Sequence, residues 1–353
     1  MQASKMDEKY MYRCIQLARN GEGFVAPSPM VGSVIVYDNR IIGEGFHRRY
    51  GEAHAEVNAI ASVKDQNLLK HATMYVNLEP CSHYGKTPPC AELIIKKEIP
   101  EVVIACEDPF PEVSGQGIEM MRAAGIEVNV GILRDDCENL NKRFFTFFQK
   151  KRPYIILKWA QSTDGFLDRN RDPGSHEKPV RLSDDFTQLI VHKMRAQESA
   201  IMIGTRTALS DNPSLNVRLW NGKNPLRLVV DRDLKIPQSF SLLDGSIPTL
   251  IYTAKKMPDK HNLIYRKIEF DRDILPQIMS DLYERKIQSL LVEGGGKLLN
   301  SFIQSGLWDE ANIETASVLL GSGIQAPDLK GKLLNVQKCK NSVIFRYKNQ
   351  MIP

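Results

Sequence analysis

Three residues constrain how this chain can fold more than anything else in it: His54, Cys81 and Cys90. His54 opens the string His54-Ala55-Glu56 and an apolar run, Val57, Ala59, Ile60 and Val63, at helical spacing. That spacing predicts a helix with His54 and Glu56 in its first turn. Free N–H groups and the dipole at that end can steady a bound anion or hydroxide. After a strand-like Thr-Met-Tyr-Val-Asn-Leu-Glu, Pro80-Cys81 begins a tight loop that closes at Cys90 and runs into a second helix. One imidazole and two thiolates leave the fourth tetrahedral position of a zinc ion open to water, a catalytic rather than a structural donor set. Zinc lowers the pKa of such a water toward ~7, giving hydroxide at neutral pH. Glu56 is then free to carry protons rather than bind metal.

A His-x-Glu string followed by Pro-Cys and a second Cys is the pattern of the zinc deaminases, in which hydroxide attacks the carbon bearing an exocyclic amine. The usual spacing is Pro-Cys-x-x-Cys, whereas here Ser82 through Pro89 separate the thiols. The longer loop is stiff at Pro88-Pro89, can turn at Gly85, and carries His83 and Lys86, both able to face an anionic substrate.

At 353 residues the chain exceeds one deaminase domain of ordinary size, and two domains are expected. Apolar residues at 42% and charged residues at 25% fit a soluble protein with real cores. No apolar run approaches the ~20 residues of a membrane span. The start, Met-Gln-Ala-Ser-Lys-Met-Asp, lacks the apolar stretch of a signal peptide, which points to the cytoplasm. Six cysteines in that setting read as free thiols and metal ligands rather than disulfides, with Cys14, Cys106, Cys137 and Cys339 as small buried residues or bystanders. A net charge of +5 suits an anionic substrate and is too dispersed to argue for nucleic acid.

In chain order, Asp7 is expected to cap a helix with the face Tyr10, Cys14, Leu17 and Ala18, ended by Gly21. Residues 31–47 read as a β-hairpin turning at Asp38-Asn39-Arg40, and it leads into His54. Beyond the Cys loop come a buried strand (101–109), a helix (116–125) and another strand (126–131), an alternation that implies mostly parallel pairing. The glycines of residues 110–117 fit either a loop near the site or plain turn chemistry. A polar helix over 134–153 carries Phe144, Phe145, Phe147 and Phe148, which need burial, between domains being one place for it; Lys150-Lys151-Arg152-Pro153 marks the boundary. The expected domains are 1–150 and 151–353. The second half opens with a strand containing Lys158 and an Asp-Gly turn, then reads helix–strand–loop over 192–218. Strands follow at Pro225–Arg232 and Thr249–Thr253, then a helix over 271–286. Next come a buried strand, three glycines (Gly294–Gly296) and a helix, where the backbone can approach a dinucleotide phosphate. Strands at 309–323 and 342–348 close the chain.

His-Ala-Glu-Val-Asn-Ala followed by Glu-Pro-Cys-Ser-His-Tyr-Gly-Lys-Thr-Pro-Pro-Cys resembles the deaminase half of the bifunctional riboflavin-biosynthesis deaminase/reductase family. Lys158-x-Ala160-x-Ser162-x-Asp164-Gly165 and the block from His192 to Arg218 resemble its reductase half, and the resemblance runs from Asp7 to about Lys348. It implies a cytidine-deaminase-like three-layer α/β/α domain followed by a dihydrofolate-reductase-like α/β domain. It implies zinc at His54, Cys81 and Cys90 with Glu56 catalytic, and NADPH at Ala160, Thr207, Asp211, Gly295, Gly296, Lys297, Leu298, Leu299, Asn300 and Ser301. Substrate contacts are implied for His47, His83, Lys158, Arg195, Leu215, Arg218 and Glu293, with Arg195 and Arg218 on a phosphate, as suits guanidinium groups. The implied reactions are deamination of 2,5-diamino-6-ribosylamino-4(3H)-pyrimidinone 5′-phosphate, then reduction of its ribosyl group to ribityl. A small-molecule substrate, no nucleic acid, no membrane and a homo-oligomer complete the expectation.

The sequence departs from that family at two places. Ser28 stands where the family has a substrate-contacting Asn, and Pro179 and Arg181 stand where it has a Ser and a Trp; Ser175 or Lys178 are available there instead. Two other readings compete: a nucleic-acid base deaminase with an accessory binding domain, and a zinc-stabilised binding module. The second half lacks an aromatic–basic RNA platform, and a structural zinc wants four protein ligands.

Overall fold

The computed structural model describes residues 5–84, 88–110, 114–171 and 177–350, and the chain forms two compact units, Met1–Lys151 and Arg152–Pro353. In the first, helix α1 (Lys5–Ala18) buries Tyr10, Met11, Cys14, Ile15, Leu17 and Ala18. It begins two residues before Asp7, which is therefore not its cap; Asp7 instead accepts a hydrogen bond from the Tyr75 hydroxyl at 2.8 Å. Strands β1 (Gly32–Tyr37) and β2 (Arg40–Phe46) form the hairpin. Its loop is only Asp38-Asn39, both at positive φ, and Arg40 already pairs with Tyr37.

Helix α2 (Ala55–Ser62), strand β3 (Thr73–Val76), α3 (Cys90–Lys96), β4 (Glu101–Ile104), α4 (Gln116–Ala123) and β5 (Glu127–Val130) follow. The sheet order is β2-β1-β3-β4-β5, antiparallel on either side of β1 and parallel from β3 to β5. Alternating strand residues face two helical layers. Ile35, Met74, Val102 and Ile104 pack with α2, α3 and α4, while Val34, Val36, Tyr75 and Val103 pack with α1 and the last two helices. Those two are α5 (Arg134–Leu140) and α6 (Lys142–Lys150), one break more than the sequence reading had. Phe144 and Phe145 are buried against Cys137 and Tyr10, so this unit's own core takes them. The seat of α2 on the sheet depends on Gly45, because a Cβ there would lie 2.3 Å from the Ala59 nitrogen.

The second unit begins at β6 (Tyr154–Ser162) and β7 (Phe166–Asp168). Then come α7 (Asp185–Gln197), β8 (Ala200–Gly204), α8 (Thr205–Asp211), β9 (Leu226–Val230), β10 (Thr249–Thr253), β11 (Leu263–Lys267) and α9 (Ile274–Glu284). The chain closes with β12 (Ser289–Gly294), α10 (Gly296–Gln304), β13 (Glu310–Ala316), β14 (Ile324–Gln325), β15 (Lys332–Lys338) and β16 (Ser342–Lys348). Nine strands form one sheet in the order β11-β10-β9-β8-β12-β6-β13-β16-β15, parallel through β13 and antiparallel at its last two strands. β7 and β14 make a separate two-stranded ribbon. Thr207 and Asp211 lie on helix α8 where a loop was expected, and β11 and β15 are strands the sequence reading missed. The turns β8–α8 and β12–α10 open at the carboxyl ends of adjacent parallel strands, where ligands bind in open α/β sheets.

Candidate active sites

In the first unit, His54 is the N-cap residue of α2, Cys90 is the first residue of α3, and Cys81 lies on the loop between β3 and α3. Their donor atoms lie within 4.8 Å of one another. His54 Nδ1 stands 3.5 Å from Cys81 Sγ and 3.3 Å from Cys90 Sγ. Tetrahedral zinc with ordinary Zn–N and Zn–S bonds would set an N···S edge of about 3.6 Å. The donors thus already stand at nearly the separations that ion needs. Hydrogen bonds from Cys90 and His54 pull the Cys81 thiol well below the usual range, toward the thiolate that binds metal.

Glu56 is buried beside them, and its Oε2 has no hydrogen-bond partner. Burial pushes its carboxyl up to about 7, with His54 opposing. His47 is buried too; its Nδ1 lies 3.1 Å from the Ala53 carbonyl, its ring meets His54 edge-on at 5.4 Å, and its Nε2 has no partner. A carbonyl only accepts, so Nδ1 carries the hydrogen and Nε2 is the bare acceptor in the neutral ring. Burial lowers the His47 pKa and favours that form. His83 is exposed, its ring 6.3 Å from that of Phe110, which in turn packs on Phe148 at 5.0 Å. Ser28 is half-buried, and Gly85 and Lys86 lie outside the described residues.

The sequence reading missed how this loop is held. The Glu79 carboxylate, buried directly before Pro80-Cys81, accepts backbone hydrogen bonds from Asp108, Gly115, Gly117 and Ile118 at 2.9–3.3 Å. A Cβ on Gly117 would lie 2.1 Å from the Pro80 oxygen, so this contact admits only glycine. The backbone of Met30 is fixed likewise, by the side-chain amides of Asn77 and Asn141. A buried Glu in front of Pro-Cys is the one signal in the sequence that pointed here.

In the second unit, a cleft of about 680 Å³ opens at the β8–α8 and β12–α10 turns. Ala160, Thr207, Asp211 and every residue from Gly295 to Ser301 line it, as do Lys158, Glu293 and Pro179. Arg171, which the sequence reading passed over, lines it as well, donating to Asp168 at 2.8 Å and to Asp211 at 2.6 Å. Lys158 lies half-buried mid-strand, and burial lowers its pKa while Glu293 and Glu314 oppose the shift.

The expected phosphate pair does not stand as a pair. Arg195 sits in the last turn of α7 and spends its fork on Glu293, at 2.7 and 2.6 Å, with its third nitrogen 3.2 Å from the Asn216 carbonyl. Burial alone would raise the Glu293 pKa, but Arg195 outweighs it and holds the carboxyl below its usual range. Arg218 is exposed; its guanidinium donates to the neutral Asn216 side chain at 3.0 Å and its backbone N–H to His192 Nδ1 at 3.2 Å. Leu215 turns its side chain into the core beside Ile203 and Leu242, so any ligand contact must come through its backbone. Arg181 is exposed and paired with Asp185; Lys178 is exposed, and Ser175 lies outside the described residues.

Residues 4–106 match the cytidine and deoxycytidylate deaminase zinc-binding region, and residues 153–352 match the RibD C-terminal domain. Riboflavin biosynthesis protein RibD of Bacillus amyloliquefaciens is 43% identical over 92% of this chain and 88% of its own length. The chain belongs to the RibD family. RibD of Aquifex aeolicus is 36% identical over 92% of this chain and 91% of its own. The crystal structure of a diaminohydroxyphosphoribosylaminopyrimidine deaminase/5-amino-6-(5-phosphoribosylamino)uracil reductase from Thermotoga maritima superposes with a TM-score of 0.88 at 35% identity, covering 98% of this chain and 99% of that one. Acinetobacter baumannii RibD gives 0.87 at 33% over 98% and 99%.

As a RibD protein, the chain is a bifunctional deaminase and reductase of riboflavin biosynthesis. The two-domain α/β class read from the sequence holds: a cytidine-deaminase-type zinc-binding unit precedes a RibD C-terminal domain. A RibD C-terminal domain in the second half favours the bifunctional reading over the nucleic-acid deaminase and the binding-module readings. The deaminase region is a zinc-binding one, and a reductase of this family is consistent with NADPH. No helix among the described residues is long and apolar enough to cross a membrane.

Proposed function

We propose that the first unit deaminates 2,5-diamino-6-ribosylamino-4(3H)-pyrimidinone 5′-phosphate and that the second reduces the ribosyl group of the deaminated product to ribityl with NADPH. One observation carries the deaminase assignment: a buried, unpartnered carboxylate oxygen on Glu56 beside three donor atoms set at metal-binding distances. Zinc held by His54, Cys81 and Cys90 would supply the Lewis acidity that makes water ionisable near neutral pH. Glu56 takes one proton from the attacking water and gives it to the ring nitrogen, then carries the second, from the new hydroxyl, to the amine, which leaves as ammonia while the oxo group forms. Its burial supports that role, since burial shifts the carboxyl upward, toward the range in which it both accepts and returns a proton. His47, with Nε2 bare, accepts a hydrogen bond from the substrate. His83, at the exposed mouth, meets the phosphate side.

In the second unit, NADPH lying in the cleft along Gly295–Ser301, Thr207, Asp211 and Ala160 would supply the reducing equivalents. Arg171 is a positioning residue that holds Asp211. Lys158 and Glu293 face the ribosyl side. The phosphate falls to Arg218, because Arg195 already serves Glu293. Six free cysteines are favoured by a reducing compartment, which supports the cytoplasm. The exposed edge strand β15, with Leu333, Leu334 and Val336 bare, supports a homo-oligomer. The decisive assay follows ammonia release and NADPH oxidation with the phosphorylated diaminopyrimidinone. Folded, zinc-loaded Glu56→Gln should lose ammonia release by ~10²–10⁴-fold and still oxidise NADPH with the deaminated pyrimidine. Ammonia release at the wild-type rate would end the proposal.

A further inference from the structure

Between α8 and β9 the chain runs as a loop outside the sheet, and side chains fix its backbone instead. Arg195 donates to the Asn216 carbonyl at 3.2 Å, and the Arg218 N–H donates to His192 Nδ1 at 3.2 Å. Lys193 lies over the Trp220 ring at 5.4 Å, and a Cβ on Gly222 would meet that of Ala196 at 2.6 Å. Alternate loop residues, Asn216, Arg218, Trp220 and Gly222, are thus laid along the last two turns of α7. Arg227 also donates to the Ser214 carbonyl at 3.3 Å, and Asn224 Oδ1 accepts from the Val217 N–H at 2.7 Å. Leu215 enters this stretch at φ 49°, in the left-handed region that a leucine rarely takes. Conformations of that kind persist only where the surroundings over-determine them, as these contacts do.

His192 is 3% exposed, and its bond sets its chemistry. A backbone N–H only donates, so Nδ1 must be bare, and the neutral ring carries its hydrogen on Nε2. Burial disfavours a second proton, and Arg195 from the same helix and Arg218 from the loop oppose it as well. Glu293 on β12 and the Asn216 backbone favour it. The balance holds His192 below the ordinary histidine range, and therefore neutral at neutral pH. A proton on Nδ1 would set N–H against N–H and push Arg218 off its seat. Arg195 also carries Glu293, so its loss reaches the whole site, whereas the His192 bond acts on the loop.

We propose that His192 is the positioning residue of the phosphate arm. By accepting the Arg218 N–H it fixes the backbone from which that guanidinium reaches the substrate phosphate, and on protonation it lets the arm go. The inference rests on the assignment of the phosphate to Arg218 and adds what holds that residue in place. The Arg218 side chain is long and exposed, so a fixed backbone limits the freedom it must lose on binding. Acid should therefore weaken the phosphorylated substrate through KM, with kcat kept.

The test is NADPH oxidation by the full chain with the deaminated pyrimidine, 5′-phosphorylated or dephosphorylated. The parent is compared with His192→Leu, His192→Asn and Arg218→Met. Leucine fills the space without an acceptor; asparagine returns an oxygen near the place of Nδ1 and has no proton to gain. At neutral pH His192→Leu should raise KM for the phosphorylated substrate roughly 5–50-fold, the range for one stranded buried donor, and leave kcat and the dephosphorylated analogue within about twofold. His192→Asn should recover most of that loss. The phosphate's own titration is common to the parent and His192→Asn, so the ratio of their kcat/KM values isolates the histidine. That ratio should fall as pH drops from about 8 to about 5. Loss of both substrates by one factor in His192→Leu, or a ratio of parent to His192→Asn that is flat with pH, overturns the proposal. If His192→Leu does not fold, the pH comparison decides alone. Arg218→Met separates the two layers. If it too weakens both substrates alike, the phosphate reading falls and takes this inference with it. If its effect is confined to the phosphorylated substrate while His192→Leu loses both evenly, the inference falls alone.

Discussion

The Arg195–Glu293 pair makes a prediction that separates structural support from phosphate recognition. The two side chains are 12% and 10% exposed, and their two contacts are bidentate. Arg195→Met strands a buried carboxylate, a change that costs about 3–5 kcal/mol. Lys158 remains near Glu293 and offsets part of the charge, which places the expected loss at the lower end. At about 2–4 °C per kcal/mol for a unit of this size, the second unit should melt ~6–12 °C lower. Arg195→Met/Glu293→Gln should recover most of that loss, because neither charge is then left alone. Circular-dichroism melts without ligand measure the stability. Kinetics with the phosphorylated substrate and a dephosphorylated analogue measure the recognition. Arg195→Met should weaken both substrates by the same factor, whereas Arg218→Met should weaken only the phosphorylated one. An unshifted melt combined with a loss confined to the phosphorylated substrate would refute this reasoning and return Arg195 to the phosphate.

Cys81→Ser and Cys90→Ser should each abolish stoichiometric zinc by elemental analysis, and a full zinc content in either would remove that residue from the ligand set. Asp211→Ala should slow NADPH oxidation and leave ammonia release near normal; Arg171→Met should reproduce it in part through a raised KM for NADPH. Glu79→Gln keeps one accepting oxygen and turns an –NH2 toward the other backbone donors, so it should cost about 2–4 kcal/mol by denaturant titration. Burial raises the Asp108 carboxyl from 3.8 to about 7. The folded state then keeps a proton that the unfolded chain gives up, so this group's contribution is full below about pH 4 and lost as pH rises through 7. Asp108→Asn should flatten that part of the stability–pH curve.

The sequence showed the deaminase centre clearly because chemistry fixes its spacing: a metal wants particular donors, and a water-activating site wants a loose carboxylate. Glycines between a strand and a helix pointed to the place where the second unit opens its cleft. The sequence did not show that Arg195 belongs to Glu293, since these residues are 98 apart in sequence and meet only because α7 lies across β12. Strand β15 reads Lys-Leu-Leu-Asn-Val-Gln-Lys, exposed along its whole length, and so lacks the alternation that burial on one face imposes. Helix α8 was taken for a loop because its seven residues bury only Ala208 and leave almost no apolar period to detect.

The anchoring of Glu79 bears on how the metal comes and goes. Its four backbone bonds, the glycine contact at Pro80 and the Cys90 N–H on Cys81 Sγ at 3.3 Å all run from protein to protein. Cys81 and Cys90 are thus held by contacts that involve no ion. In zinc fingers, binding free energy is spent on folding the peptide, and chelators unfold it. Here that coupling is cut: a chelator should silence ammonia release while leaving the melt of the chain nearly where it was, and added zinc should restore activity without a refolding lag. Loss and recovery of the metal should then be a reversible step of a protein that stays folded.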